Sequence, residues 1–219
     1  MLDEKITESD FSELDKKSSK FAKLHSESKC YNKNMDQILF TWISIIVIFS
    51  IGCLAHFLYD IMKGPKALGL FTAINESTWE HIKIAITPTL LWGLVDGYTY
   101  GENPNYFTAK LTSLLILTFF IPFVFYSYTR ISKKPILVID ILTFATSIIL
   151  SQFAFYGIVN LEAFPHIVVY LSAIGVFCFF GSYMTLTLLP LKAPIFKDPI
   201  TGKYGFKAHR NFFKKSRKK

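Results

Sequence analysis

Five apolar segments, 38–59, 77–98, 108–129, 136–159 and 165–190, constrain this chain more than any other feature. Each is close to the ~20 helical residues that, at roughly 1.5 Å per residue, cross about 30 Å of hydrocarbon. The runs do not alternate polar with apolar residues, so a closed barrel of short strands is excluded and helices remain. Hydrophobic residues make up 51% of the chain and charged residues only 18%, against about 25% charge in an average soluble domain. Only seven of the 24 Lys and Arg fall between Ile38 and Pro190. A soluble domain of 219 residues could not cover that much apolar surface. The expected fold is therefore all-α, a polytopic transmembrane bundle of about five helices.

Three parts follow from this patterning. Residues 1–37 carry seven Lys and eight Asp or Glu and read as a mobile charged tail. Residues 38–190 form the transmembrane domain, and residues 191–219 form a basic C-terminal tail. The first 37 residues lack an apolar core, so no cleavable signal peptide is expected and the first span serves as the insertion signal. Cys30, Cys53 and Cys178 show no disulfide or zinc-ribbon spacing, and the latter two read as small core residues.

Ser77-Thr78-Trp79-Glu80 matches a capping box and predicts a helix starting near Ser77. Pro88 lies inside that helix and frees the carbonyl of Ile84; Pro122 does the same in the third span. Five spans place the two termini on opposite sides of the bilayer. One side then carries Lys63, Lys66, Lys83, Arg130, Lys133, Lys134 and the ten basic residues after Pro190. By the positive-inside rule this side, with the C-terminus, is cytoplasmic, although Lys20, Lys23, Lys29 and Lys33 argue the other way.

Ionisable residues at membrane helix ends are costly, and most of them here fall at one depth. His56 and Asp60 end the first span. Asn75, Glu76, Glu80, His81 and Lys83 begin the second. Arg130 closes the third, Asp140 opens the fourth, and the 196–205 segment lies on the same side. Asp140, Thr143, Ser147 and Ser151 share one helix face. The expectation is a polar pocket at one membrane face around His56, Glu76, Glu80, His81, Lys83 and Asp140, able to take a small cation, a polar ligand or a lipid headgroup.

Plainer roles exist for each of these residues. His56 and Asp60 can pair at i, i+4, Glu80 can be half of a cap, Lys83 can snorkel, and Asp140 can pair with Arg130 or a lysine. Asp96 is expected among headgroups. Metal binding and catalytic residues are left open, because no His-Glu-x-x-His, Glu-x-x-His pair, nucleophile elbow, phosphate loop or dinucleotide fingerprint is present. Two further classes stay in view: a metal-dependent hydrolase or lipid-modifying enzyme at the membrane interface, and a structural or partner-binding subunit. The expected partner is the lipid bilayer. Lys207 to Lys219 suit anionic lipids, with nucleic acid ranked behind them.

His56-Phe57-Leu58-Tyr59, Asn75-Glu76-Ser77-Thr78-Trp79-Glu80-His81-Ile82-Lys83 and Phe196-Lys197-Asp198-Pro199-Ile200-Thr201-Gly202-Lys203-Tyr204-Gly205 are similar to a small family of bacterial multipass membrane proteins, catalogued as a domain of unknown function. The resemblance covers roughly residues 38–205. It implies five spans in a bacterial plasma membrane and brings no activity, cofactor or catalytic residue with it.

Overall fold

The computed structural model describes residues 8–62 and 67–208. Five long helices appear in order: α1 (Glu8–Met62), α2 (Thr78–Tyr100), α3 (Tyr106–Ser132), α4 (Leu137–Val159) and α5 (His166–Leu188). Short 3-10 turns occupy Leu68–Leu70 and Pro194–Phe196. Neither Gly nor Pro interrupts residues 8–51, and the described part of the charged N-terminal segment is helical backbone. Residues 1–7, and the basic run from 209 onward that was expected to meet anionic lipid, lie outside the described residues.

Contacts divide the chain at Trp42, and the unit from Ile43 onward holds the helix bundle. In this unit α3 packs most extensively on α4, and also against α2 and α5. Ile45, Ile48, Ile82, Ala85, Ile86, Leu114, Leu117, Ile121 and Ile148 form the main apolar cluster. The polar face expected on α4 does turn inward: Thr143, Ser147 and Ser151 are buried. Ser151 meets Ser113 of α3 at 2.6 Å, and Ser44 donates to Gln152 Oε1 at 3.1 Å. These contacts are interhelical packing bonds of the kind that holds helices together in lipid.

The exterior is the reverse of a soluble protein's. Leu54, Phe57, Ile61, Phe119, Phe123, Leu137, Val138, Leu142, Ile167, Leu171, Ile174 and Phe177 are exposed. Patches of that extent need an apolar partner. Cys53 and Cys178 lie on this outer surface, a correction to their reading as core residues. Four stretches are long and apolar enough to cross a membrane: Met35–Met62, Tyr106–Ser132, Leu137–Val159 and His166–Leu188.

The remaining long helix, α2, differs from these four, so four helices rather than five meet the apolar criterion. From Thr78 to Thr89 nearly every residue is buried. The enclosed first half of the helix need not present an apolar stripe to lipid, and its neighbours can satisfy charges on it. Pro88 is accommodated within the helix. Beside the carbonyl of Ile84, which Pro88 cannot bond, sits Gly52 of α1. A Cβ at Gly52 would lie 2.8 Å from that oxygen and 2.6 Å from the Phe144 ring, so glycine is what permits this approach.

Candidate functional site

One end of the bundle is built by the C-terminal turns of α1, the loop after it, the first turn of α2 and the segment after α5. The loop folds back on α1, with the Ala73 N–H donating to the Ala55 carbonyl at 3.2 Å. That bond sets the loop beside the next residue of α1, His56. Asn75 then shapes the entry to α2. Its Oδ1 accepts from the Ser77 N–H at 2.8 Å, and its Nδ2 donates to the Gly205 carbonyl at 3.3 Å.

Residues 194–208 form a strap across this end. Lys197 pairs with Tyr204 in an isolated bridge, and Gly202 and Gly205 take positive φ values of 68° and 52° to close the turn. Buried Asp198 organises it. One carboxylate oxygen accepts from the Thr201 N–H at 2.9 Å and the Thr201 hydroxyl at 2.5 Å; the other accepts from the Glu76 N–H at 3.3 Å. Phe206 packs over Gly69, where a Cβ would fall 2.6 Å from its ring.

These elements bring His56, Glu76 and His81 together, with one donor atom from each lying within 4.8 Å of the others. The rings of His56 and His81 are 5.3 Å apart at 44°. His81 Nδ1 lies 3.0 Å from the Ser77 carbonyl, which can only accept, so Nδ1 carries the proton. In the neutral ring Nε2 then offers a lone pair, and it lies 3.8 Å from the Glu76 carboxylate. The Nδ1 atom of His56 is buried and has no hydrogen-bond partner among the described residues. A cleft of about 70 Å³ adjoins these groups, lined by His56, Asp60, Asn75, Glu76 and Asp198 among others.

The other three residues expected in the pocket go elsewhere. Glu80 and Lys83 form a fully buried ion pair at 2.5 Å. Lys83 Nζ also donates to the Gly69 carbonyl at 2.7 Å, and Glu80 accepts from the Ile74 N–H at 3.0 Å. Ser77 is indeed the N-cap residue of α2, but its side chain makes no capping bond, so the capping box does not form. Lys83 does not snorkel, because it sits within α2's enclosed first turns. Asp140 accepts from the Tyr128 hydroxyl at 2.5 Å and, among the described residues, neither joins the pocket nor pairs with a cation.

Sequence reasoning missed two further features. Asp96, expected among headgroups, is buried and ion-paired with buried Lys110 of α3, whose ammonium also lies 4.6 Å from the Phe155 ring. Asn105 is also buried; its amide donates to the Ile158, Leu161 and Glu162 carbonyls, and its oxygen accepts from the Phe164 N–H. It thereby ties the end of α4 to the loop after it.

An all-helical bundle with four bilayer-length apolar helices and an apolar exterior defines the class, a helical membrane protein. Residues 29–206 match DUF6512, a family of unknown function, and the chain belongs to that family. No curated protein and no solved structure matches it.

Proposed function

We propose that this chain is a five-span protein of a bacterial plasma membrane that binds a small cation at one membrane face, as a binding or transport-related module. The observation that carries this reading is the meeting of His56, Glu76 and His81 beside a polar cleft. They come from the end of one helix, a loop and the start of another. Groups this costly to place at a membrane rim are explained by a ligand that needs them.

α2 is the fifth span. Its 23 residues cover about 34 Å at roughly 1.5 Å each. Its second half puts Leu91, Leu94, Val95 and Tyr98 on the exterior. The buried charges lower its hydropathy without touching lipid. Arg130, Lys133, Lys134, Lys192, Lys197, Lys203 and Lys207 then share the site's side, which supports a cytoplasmic site.

The test is thermal unfolding of the detergent-purified chain with and without a series of divalent cations. A ligand at a hundredfold its Kd stabilises the folded state by about 2.7 kcal/mol. Stabilisation by at least one cation, lost in Glu76→Ala and His81→Ala, is expected. No stabilisation by any cation contradicts the reading.

A further inference from the structure

We infer that the cation is a transition-metal dication of the zinc class, held by His56, Glu76 and His81 with a further coordination position open to the cleft; this rests on the cation-binding reading above. The donor set makes the selection. Magnesium and calcium are hard ions that gather six or more oxygens, whereas two imidazoles and one carboxylate suit zinc and its neighbours. Three protein ligands with a vacant side are the arrangement of an open zinc site, since closed structural sites use four.

The ligands are prepared for this role before any metal arrives. His81 is turned by its Nδ1–H bond to the Ser77 carbonyl, so its Nε2 faces Glu76. An imidazole that ligates through one nitrogen and donates its other N–H to a carbonyl has its tautomer and orientation fixed. His56 keeps a buried nitrogen that no group among the described residues satisfies. Glu76 is anchored through its backbone by Asp198. Tetrahedral ligation at about 2.1 Å needs donor atoms ~3.4 Å apart. Separations within 4.8 Å close to that by side-chain rotation, since Glu76 and His81 are only partly enclosed. The cleft of about 70 Å³ is more than the roughly 10–15 Å³ of such space that one water needs, so solvent can reach an ion held beside it.

The experiment uses the full chain in detergent, stripped with chelator and titrated separately with cobalt(II), zinc, magnesium and calcium. Cobalt(II) reports through its visible d–d bands. Expected are cobalt bands of a four- or five-coordinate site, their displacement by stoichiometric zinc, and zinc affinity at least about a hundredfold above that for magnesium or calcium. His56→Ala and His81→Ala should each weaken zinc binding about tenfold or more, with the helical circular dichroism retained. Where a histidine variant fails to fold, Glu76→Gln and the wild-type ion preference decide. A site that prefers magnesium or calcium overturns this inference and leaves the cation-binding reading standing. Zinc binding that survives all three substitutions places the ion elsewhere and overturns it too. Binding of none of the four ions overturns both.

Discussion

The Asp198 carboxylate accepts a hydrogen bond from the backbone N–H of Glu76 at 3.3 Å, across 122 residues of sequence. The strap after α5 thereby fixes where Glu76 leaves the loop before α2. Asp198→Ala removes the acceptor and also releases the Thr201 turn. It is expected to weaken cation binding by roughly 10–100-fold, the usual cost of losing a group that orients a ligand. Asp198→Asn keeps one acceptor oxygen, enough for the Glu76 N–H or the Thr201 turn but not both, and should lose less than Asp198→Ala. Cation titration of the two variants against wild type checks this.

The Glu80–Lys83 pair makes a different kind of prediction, because both partners are enclosed. Lys83→Met alone leaves a buried carboxylate without its cation and should cost about 3–5 kcal/mol of stability. The double variant Glu80→Gln, Lys83→Met removes both charges and should recover most of that loss. Denaturant unfolding in micelles, run as a double-mutant cycle, measures the difference. A loss in the double variant equal to the sum of the single losses would show that the pair is not coupled.

Asp96 and Lys110 repeat the arrangement on the other end of α2. Sixteen residues separate Asp96 from Glu80, about 24 Å along the helix. Asp96→Asn should therefore destabilise the bundle while leaving the stabilisation by bound cation unchanged, since distant sites add independently. The unfolding shift on adding cation to this variant reads the second half of the prediction.

Gly52 sits where α1 meets the unbonded Ile84 carbonyl and the Phe144 ring. Gly52→Val would push a side chain against backbone that cannot move aside. A loss of about 1–3 kcal/mol or more is expected, read as a lowered unfolding midpoint.

The sequence made much of this legible, for identifiable reasons. Apolar runs of bilayer length do not depend on tertiary context, so four long apolar helices and the start of α2 at Ser77 were readable. Shared depth was enough to anticipate that His56, Glu76 and His81 meet. The fates of Glu80, Lys83 and Asp140 were not readable in the same way. Whether a charge on a helix faces water, lipid or a neighbour depends on how deeply that helix is enclosed, and α2 carries no amphipathic period to report it. The Asp96–Lys110 pair did leave a signal. Asp96 lies five residues before Gly101 and Lys110 five after Asn105, so opposite charges face each other across the short turn between α2 and α3. The tie from Asp198 to Glu76 left none, because that partner is a backbone N–H.

X-ray absorption at the zinc edge of the zinc-loaded chain is the most direct measurement, since it reports the atoms bound to the ion. Two imidazoles and one carboxylate from the protein, with light-atom solvent completing the shell, is the predicted result. A shell containing sulfur, or only oxygen, would contradict a site made by His56, Glu76 and His81.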